Sequence, residues 1–435
     1  MRAETLDEMF DLAVFLASQP LPGGRQVAVL TNAGGPAILC ADACEAGGLI
    51  VPELSPAVKA RLREFLASNA SVTNPVDMIA AAGPTEYRRA VEVLLQAPEV
   101  DALVVTYVDV AMSEAVELAA AIVDGVKAAR AAGAASKPVL VCWMAGALPE
   151  PLVAGKESIP TYVFPEAAGR VLSRVAVYGE WLRQPLGVVP DLPDIGPGAA
   201  RRVCQKALAE RGPGWLASDE TRAVLTEFRL PLPPGGVAKT ADEAVMLARS
   251  VGFPVAAKLA SHSIVHKTEF GAVRLNVADD AAVRRAFGEI RERMIEEKSL
   301  DAMEGVLVQP MISGGVEVMV GITQDPLFGP LIGFGLGGIH VEILADVCFR
   351  VTPLTDRDAK EMIAEIRGYR LLQGYRGHGP ADVAAIEEIL LRISRLVEEV
   401  PEISELDLNP IFALAPGQGC RIVDARIRVE PAPHR

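Results

Sequence analysis

The sequence predicts two domains of mixed α/β structure, a doubly wound parallel sheet followed by an α+β domain. The chain has 435 residues, which is long enough for two or three hydrophobic cores. Apolar segments alternate with helix-like segments in the first part, and a proline-rich segment at 184–198 separates it from a region with a glycine-rich centre. We therefore predict a leading helix at 1–19, a parallel-sheet domain at 20–184, a linker and helix at 185–213, and a second domain at 214–435.

The leading helix is predicted from an apolar stripe at helical spacing between residues 4 and 17. The stripe consists of Leu6, Met9, Phe10, Ala13 and Leu16. A helix this short is not stable alone, so we expect the stripe to pack against the following domain.

Four apolar runs then alternate with helical segments. The predicted strands are 27–31, 102–107, 139–143 and 162–164, and the predicted helices are 37–46, 113–132 and 166–182. Continuous apolar strands that alternate with helices indicate a parallel sheet covered on both faces. The first domain is therefore predicted to be a doubly wound domain of flavodoxin type.

The second domain has a different pattern, in which strands follow one another between a few helices. The predicted helices are 218–228, 240–250, 356–366 and 381–399, and the predicted strands are 254–259, 305–309, 317–323, 331–334, 404–409 and 421–424. Segregated strands and helices are typical of an α+β domain.

Composition excludes several classes of function. The net charge is −14, from 42 basic and 56 acidic residues, which argues against a nucleic-acid or anionic-membrane surface. No run of about 18 apolar residues is present, so no transmembrane helix is predicted. The six cysteines are scattered and are interpreted as reduced, structural thiols. We expect a cytoplasmic protein with neither nucleic-acid nor membrane partners.

Three stretches of the second domain carry residues that could bind a ligand or take part in a reaction. In the first, Lys258 ends an apolar strand and His266 follows eight residues later, before the turn at Gly271. A lysine can place a charge on phosphate oxygens, and a neutral imidazole can accept a phosphoryl group. Taken alone, a lysine at the end of a strand and a surface histidine explain the pattern equally well.

The second stretch places a glycine-rich turn between apolar strands, where backbone N–H groups can approach phosphates closely. Its candidate residues are Gln309, Pro310, Met311, Ile312, Glu317, Gly335, Gly337 and Gly338. The spacing is neither that of a P-loop nor that of a dinucleotide-binding fingerprint, and a tight hairpin is the structural alternative.

The third stretch ends in Asn409-Pro410, and Asp424 follows fifteen residues after Asn409. Amide and carboxylate oxygens on adjacent strands are ligands suited to Mg²⁺. As a bare pattern, Asn-Pro is mostly a turn signal.

In this order the three stretches resemble the ATP-grasp domain of ADP-forming acetyl-CoA synthetases, within the succinyl-CoA synthetase superfamily. The resemblance covers 214–430 and rests on the Lys258 strand, a Ser-x-x-Ile-x-His-Lys segment, Gln-Pro-Met, Phe-Gly-Leu-Gly-Gly and Asp-Leu-Asn-Pro. One departure is His262, where the family usually has proline. The first domain is similar to the second flavodoxin-like domain of the same enzymes, through residues 31–36, 74–77 and 136–139.

The resemblance implies a role for each candidate residue. Lys258 would contact the nucleotide phosphates, the 309–312 segment the adenine, and Glu317 the ribose or the metal shell. Gly335, Gly337 and Gly338 would form the loop over the phosphates. His266 would relay the phosphoryl group, while Asn409 and Asp424 would bind Mg²⁺, with ATP or ADP as the substrate.

The resemblance also implies an activity, acyl-CoA + ADP + Pi ⇌ carboxylate + CoA + ATP. The CoA-binding domain and the principal catalytic-histidine domain of the family are not recognised here, so the sequence predicts a truncated synthetase. It also predicts that these domains act in trans as a partner and bring the acyl-CoA or carboxylic acid. Two alternatives stay open at this point, a regulatory ligand-sensing module related to protein acetyltransferases and an inactive truncated synthetase.

Overall fold

The fold is described from a computed structural model of the chain. The described residues are 1–109, 115–134, 137–146, 150–264, 270–338, 346–376 and 379–432. They divide into two compact units, Met1–Pro185 and Leu186–Arg435.

Unit 1 contains a five-stranded parallel sheet. Its strands are β1 (Val27–Thr31), β2 (Val76–Asp77), β3 (Ala102–Val108), β4 (Val139–Met144) and β7 (Thr161–Tyr162), and a small hairpin is formed by β5 (Val153–Ala154) and β6 (Glu157–Ser158). The spatial order is β2-β1-β3-β4-β7 with every neighbour parallel. This is the strand order of a flavodoxin-like doubly wound sheet, so the predicted fold class of the first domain is confirmed.

Helices cover both faces of this sheet. They are α1 (Leu6–Ser18), α2 (Gly34–Ala46), α3 (Pro56–Arg63), α4 (Pro84–Gln96), α5 (Ala115–Ala131) and α6 (Pro165–Arg183). Alternate residues of each strand point to opposite faces. Leu103 and Val105 of β3 therefore belong to the core under α3, α4 and α5, while Ala102 and Val104 belong to the core under α1, α2 and α6.

The orientation of α1 differs from the prediction. The residues of α1 that enter the core are Leu12 and Phe15. The predicted core stripe faces solvent instead, with Leu6 at 70% and Phe10 at 62% exposure. The helix therefore has two apolar faces, and the face predicted from the periodicity is the one that is exposed to solvent.

Unit 2 contains two antiparallel sheets. The smaller sheet has the order β11-β10-β12-β9, from β9 (Gly236–Ala238), β10 (Val255–Ala260), β11 (Val273–Val277) and β12 (Gly305–Pro310). The larger has the order β15-β14-β13-β16-β18-β8, from β8 (Gly214–Trp215), β13 (Val316–Asp325), β14 (Gly329–Leu336), β15 (Val347–Val351), β16 (Ile403–Ala413) and β18 (Ala425–Val429), with β17 (Cys420–Ile422) paired to β16.

The helices of unit 2 pack on these two sheets. They are α7 (Pro197–Arg211), α8 (Ser218–Glu227), α9 (Ala241–Val251), α10 (Asp280–Glu296), α11 (Asp356–Glu365), α12 (Tyr369–Leu372) and α13 (Val383–Glu399). Helices α9 and α10 share a core with the smaller sheet, and α7, α8, α11 and α13 share one with the larger sheet. None of the helices in the described part of the chain has the length and apolar character that a membrane crossing requires.

Arg392 of α13 provides a test of the packing in unit 2. Its guanidinium donates to Asp194 at 2.9 and 3.2 Å, to Glu388 at 2.9 Å and to the Phe228 carbonyl at 3.3 Å, with only 10% of the side chain exposed. Arg392→Ala should lower the free energy of unfolding by about 2 kcal/mol, because it opens a packed site and leaves a buried carbonyl unpaired. Urea unfolding followed by circular dichroism would measure this change.

Arg395 is the matched control on the same helix. It pairs with Glu399 at 2.7 Å, but 42% of its side chain is exposed. Arg395→Ala should therefore cost less than about 0.5 kcal/mol. Equal losses in the two variants would show that the Arg392 network adds nothing beyond a surface ion pair.

Candidate functional site

Two predicted residues of the smaller sheet meet at one carbonyl beside the larger sheet. The Lys258 ammonium donates to the Val423 carbonyl at 2.8 Å, and the Gln309 amide donates to the same oxygen at 3.0 Å. Both side chains are buried. Lys258 lies on β10 and Gln309 on the adjacent strand β12, so the sheet itself holds the two donors side by side.

Val423 directly precedes Asp424, which is one of the two predicted metal ligands. Ile411 pairs with Ile422, and Leu408 pairs with Ala425. Counting inward from either pair brings Asn409 opposite Asp424. The two predicted ligands therefore lie opposite each other in the register of these segments, although fifteen residues separate them in sequence.

The glycine-rich stretch contacts the same region from β14. The Gly337 N–H donates to the Glu317 carbonyl at 2.8 Å, and the Gly338 N–H lies 3.4 Å from the Asn409 amide oxygen. Gly338 has a φ of +63°, and a Cβ there would lie 2.4 Å from the Glu317 carboxylate. The left-handed conformation favours glycine at this position.

Gly335 has a different position from the one predicted. It lies within β14, paired with Met319 and Val347, and a Cβ there would meet the Asp346 carbonyl at 2.5 Å. This glycine permits close strand packing. Of the three predicted loop glycines, Gly337 and Gly338 follow the strand.

The 309–312 segment begins inside β12 and continues past its end. The Met311 N–H donates to the Pro254 carbonyl at 2.9 Å, and the Gln309 amide is bound to Val423. Pro310 has no N–H to donate. The Met311 N–H and the Gln309 side-chain amide are therefore both engaged within the protein.

One face of β16 carries the predicted ligand Asn409 together with Glu405 and Asp407, which the sequence prediction did not assign to the site. Alternation places Glu405, Asp407 and Asn409 on one face, opposite the buried Leu406 and Leu408. The strand β18 places Arg428 opposite Glu405 and Arg426 opposite Asp407.

The arginines of β18 bind carboxylates on this face. Arg428 donates to Glu405 at 2.7 Å, and Arg426 donates to Asp424 at 3.4 Å. The period of two in Glu-Leu-Asp-Leu-Asn was the signal for this face in the sequence. The arginines opposite this face could be identified only from the register between β16 and β18.

His266, the predicted phosphoryl acceptor, lies outside the described residues. Among the residues that are described, no group of three or more His, Cys, Asp and Glu side chains forms a metal cluster.

Gln309 and Asp424 line a cavity of about 40 Å³, and Glu317 lines a separate cavity of about 720 Å³. A groove of about 1330 Å³ in unit 1, between α1, α2 and α6, contains none of the predicted site residues.

The cysteines offer no activated nucleophile. All six are buried and free. Burial raises the pKa of the Cys142 and Cys204 thiols to about 12. Thiols with such pKa values are almost fully protonated at neutral pH, which is typical of inert core cysteines.

Comparison with protein families identifies a domain in each unit. Residues 206–429 match the ATP-grasp domain family, which is about half of the chain, and residues 27–155 match the Ligase-CoA domain family. The predicted ATP-grasp fold of the second domain is thus confirmed.

Several named relatives are ADP-forming ligases. The chain is 33% identical to the 4-hydroxybutyrate–CoA ligase of Nitrosopumilus maritimus and 34% identical to an acetate–CoA ligase of Archaeoglobus fulgidus, each over 98% of this chain. It spans 60% of the length of each of these two ligases. It is also 43% identical over 231 residues to the β subunit of acetate–CoA ligase II of Pyrococcus furiosus, which it covers to 98%.

Solved structures of similar proteins correspond to about half of this chain. A chain of Ca. Korarchaeum cryptofilum acetyl-coenzyme A synthetase 1, in complex with coenzyme A and Ca-AMPCP, matches with a TM-score of 0.50 and 41% identity, over 53% of this chain and 99% of that chain. A Pyrococcus horikoshii protein matches with a TM-score of 0.51 and 42% identity, over 54% of this chain and 100% of that chain.

The predicted partner in trans is wrong. This chain carries a Ligase-CoA domain beside its ATP-grasp domain, and the two align together with single-chain ligases over 98% of the chain. The predicted truncation is likewise not supported, because the alignment with these ligases extends over 98% of this chain and includes both domains. The domain families, the Pyrococcus furiosus subunit and the two ligases agree: the chain belongs to the ADP-forming acetate–CoA ligase family of acid–thiol ligases.

Proposed function

We propose that this chain performs the nucleotide half-reaction of an ADP-forming acid–CoA ligase, in which a phosphohistidine and ADP are interconverted with histidine and ATP. The observation that carries the proposal is the convergence of Lys258 and Gln309 on the Val423 carbonyl, next to Asp424. This contact joins the smaller and the larger sheet of unit 2 at the predicted phosphate and metal residues.

We propose one orientation of the nucleotide. The Met311 carbonyl and Ile312 N–H would bind the adenine edge, and the Glu317 carboxylate would accept from the ribose hydroxyls. The backbone at Gly337 and Gly338 would then lie near the phosphates, which it can approach closely because no side chain intervenes. A related structure, that of the Ca. Korarchaeum cryptofilum enzyme, is a complex with Ca-AMPCP.

Lys258 would contribute a charge to the phosphates from a buried position. Its ammonium is held by the Val423 carbonyl at 2.8 Å, and an ammonium has three donors. This hydrogen bond holds the ammonium next to Asp424 and the predicted phosphate residues. A charge preorganised in this way is stronger than one in water, since the surrounding protein screens it less.

The residues at Asn409 and Asp424 fit a magnesium ion. They supply one amide and one carboxylate oxygen, which are hard ligands, and Mg²⁺ in nucleotide sites typically takes one or two protein ligands plus phosphates and water. When bound, Mg²⁺ would supply charge neutralisation at the phosphate oxygens. Asn409 and Asp424 would orient that ion from opposite segments.

His266 is the group that we propose as the phosphoryl acceptor of this half-reaction. In the direction of ATP use, a lone pair of its imidazole attacks the γ-phosphorus, and the bond to the β-phosphate oxygen breaks with its electrons leaving on ADP. Imidazole suits this role because it is both neutral and nucleophilic near pH 7. The Ligase-CoA domain match supports a role for this half-reaction within acyl-CoA + ADP + Pi ⇌ carboxylate + CoA + ATP.

Nucleotide binding tests the proposal. The purified chain should bind Mg-ADP and Mg-ATP, and millimolar nucleotide should raise its melting temperature by mass action. Lys258→Met should weaken binding by roughly tenfold, a loss typical of one charge-assisted phosphate contact. Isothermal titration calorimetry would measure the change in Kd.

Lys206→Met is the control for loss of a lysine charge. Lys206 is 72% exposed and is paired with Glu210 on α7. Its replacement should leave the nucleotide Kd unchanged. If the unmodified chain shows neither a heat of binding nor a rise in melting temperature at millimolar nucleotide, the proposed function is refuted.

A further inference from the structure

Arg426 is a mostly buried arginine with weak pairing. Only 20% of its side chain is exposed, and within the described residues its guanidinium has one hydrogen bond, to the Asp424 carboxylate at 3.4 Å. A charge-assisted bond between such groups usually measures about 2.7–2.9 Å. The Nε atom of Arg426 is buried and has no hydrogen-bond partner among the described residues. A buried donor without an acceptor costs free energy, so this arginine is not explained by stability alone.

The next arginine on the same face of β18 is paired in the ordinary way. Arg428 donates to Glu405 at 2.7 Å and lies 3.3 Å from the Glu430 carboxylate, with 38% of its side chain exposed. The more buried of the two arginines therefore has the weaker pairing, although burial makes pairing of a charge more important. This contrast indicates that the Arg426 guanidinium serves a further anion.

The position of Arg426 along the site follows from the register of the smaller sheet. Pro310 lies opposite Val255, so the proposed adenine segment is at the start of β10. Lys258 lies three residues further along this strand. Arg426 shares a small cavity with Ser261, another three residues on. At about 3.3 Å per strand residue, each of these steps is about 10 Å. The order along β10 is thus the adenine segment, Lys258 and Arg426.

This order matches the layout of a nucleoside triphosphate. A nucleotide with its base at 309–312 and its inner phosphates at Lys258 directs its third phosphate toward Arg426, beside the proposed metal ligand Asp424. A guanidinium presents two N–H groups in a planar fork that fits two oxygens of one phosphate. ADP has no phosphate at this end of the site.

We propose that Arg426 binds the terminal phosphate of ATP and thereby distinguishes ATP from ADP, an inference that rests on the proposed function above. Asp424 then holds the metal ion, and the Arg426 donors turn to the phosphate oxygens. Because this contact involves the third phosphate alone, its loss should weaken binding of a triphosphate far more than binding of a diphosphate.

Calorimetric titration of two ligands in the presence of Mg²⁺ tests this assignment. β,γ-Methylene-ATP carries the third phosphate but cannot transfer it, and ADP lacks it. Arg426→Met should raise the Kd for β,γ-methylene-ATP by roughly 10- to 100-fold, the range of one charged hydrogen-bonding contact, and the Kd for ADP by less than about threefold. Arg426→Lys keeps the charge without the fork and should raise the triphosphate Kd by roughly 3- to 10-fold.

Arg428→Met is the matched control, because it removes an arginine from the same face of the same strand. It should leave both Kd values unchanged. Circular dichroism would establish that each variant is folded. Should the methionine variant of Arg426 fail to fold, the ratio of the two Kd values in Arg426→Lys decides, and an unchanged ratio contradicts the assignment.

The outcomes separate this inference from the function beneath it. An unmodified chain that binds neither ligand refutes the proposed function, and the role of Arg426 with it. If the unmodified chain binds both ligands and Arg426→Met raises the two Kd values by the same factor, only the role of Arg426 is refuted. A selective loss of β,γ-methylene-ATP binding in Arg426→Met, absent in Arg428→Met, supports it.

Discussion

Replacement of His266 by alanine is expected to abolish covalent labelling of the chain by [γ-³²P]ATP. The proposed half-reaction needs a nucleophile that attacks the γ-phosphorus at neutral pH, and alanine supplies none. The labelling rate should fall at least 1000-fold, to the background of the assay, because the proposed acceptor nitrogen is gone. Nucleotide binding should persist, since the contacts that we propose for it involve Lys258, the glycines after β14 and Asp424.

His266→Gln provides the matched variant, because a glutamine keeps polarity without a nucleophilic ring nitrogen. It should behave like alanine in labelling and like the unmodified chain in calorimetry. Label that survives both substitutions at the original rate would show that the acceptor is another residue. Loss of nucleotide binding in both variants would show that His266 supports the site structurally.

The fold was largely predictable because its strands are apolar and continuous. The run 27–31 was predicted as a strand and forms β1 with the same limits, and the alternation with helices correctly indicated the parallel sheet. Short elements were missed, such as β2, whose two residues carry no periodic signal. The helix α10 was also missed, although Val283, Phe287, Ile290 and Met294 are buried at helical spacing.

The leading helix shows a limit of periodicity. Spacing identifies residues that share a face, but α1 carries apolar residues on two faces. Leu12 and Phe15 are buried, whereas Leu6, Phe10 and their neighbours are exposed. Only the packing partner decides which face is the core, and a local pattern does not contain that partner.

The sequence pointed to the candidate residues of the site but not to the contacts between them. The alternation in β16 pointed to one polar face, but the meeting of Asn409 with Asp424 depends on the register between β16 and the segments that follow it. The Val423 carbonyl gave no signal at all, because every residue has a carbonyl. Its role emerges only when β10 and β12 bring Lys258 and Gln309 to it.

Replacement of Asp424 by asparagine is expected to remove most of the magnesium dependence of nucleotide binding. Asp424 supplies the one charged oxygen of the proposed ligand pair, while Asn409 supplies a neutral one. The carboxylate attracts a divalent cation far more strongly than an amide does. The Kd for Mn²⁺, used as a spectroscopic substitute for Mg²⁺, should rise at least 30-fold when measured by electron paramagnetic resonance in the presence of ADP.

In the absence of a metal ion, Asp424→Asn should leave the Kd for ADP almost unchanged or lower it. Without a metal ion, the Asp424 carboxylate repels the phosphates of ADP, and asparagine removes that repulsion. Its neighbour Arg426, which donates to Asp424 at 3.4 Å, would then be left to interact with the phosphates. Asp301→Asn, at an exposed position outside the site, should leave both measurements unchanged. An Asp424→Asn chain that binds Mn²⁺ and Mg-ADP as tightly as the unmodified chain would show that the metal is held elsewhere.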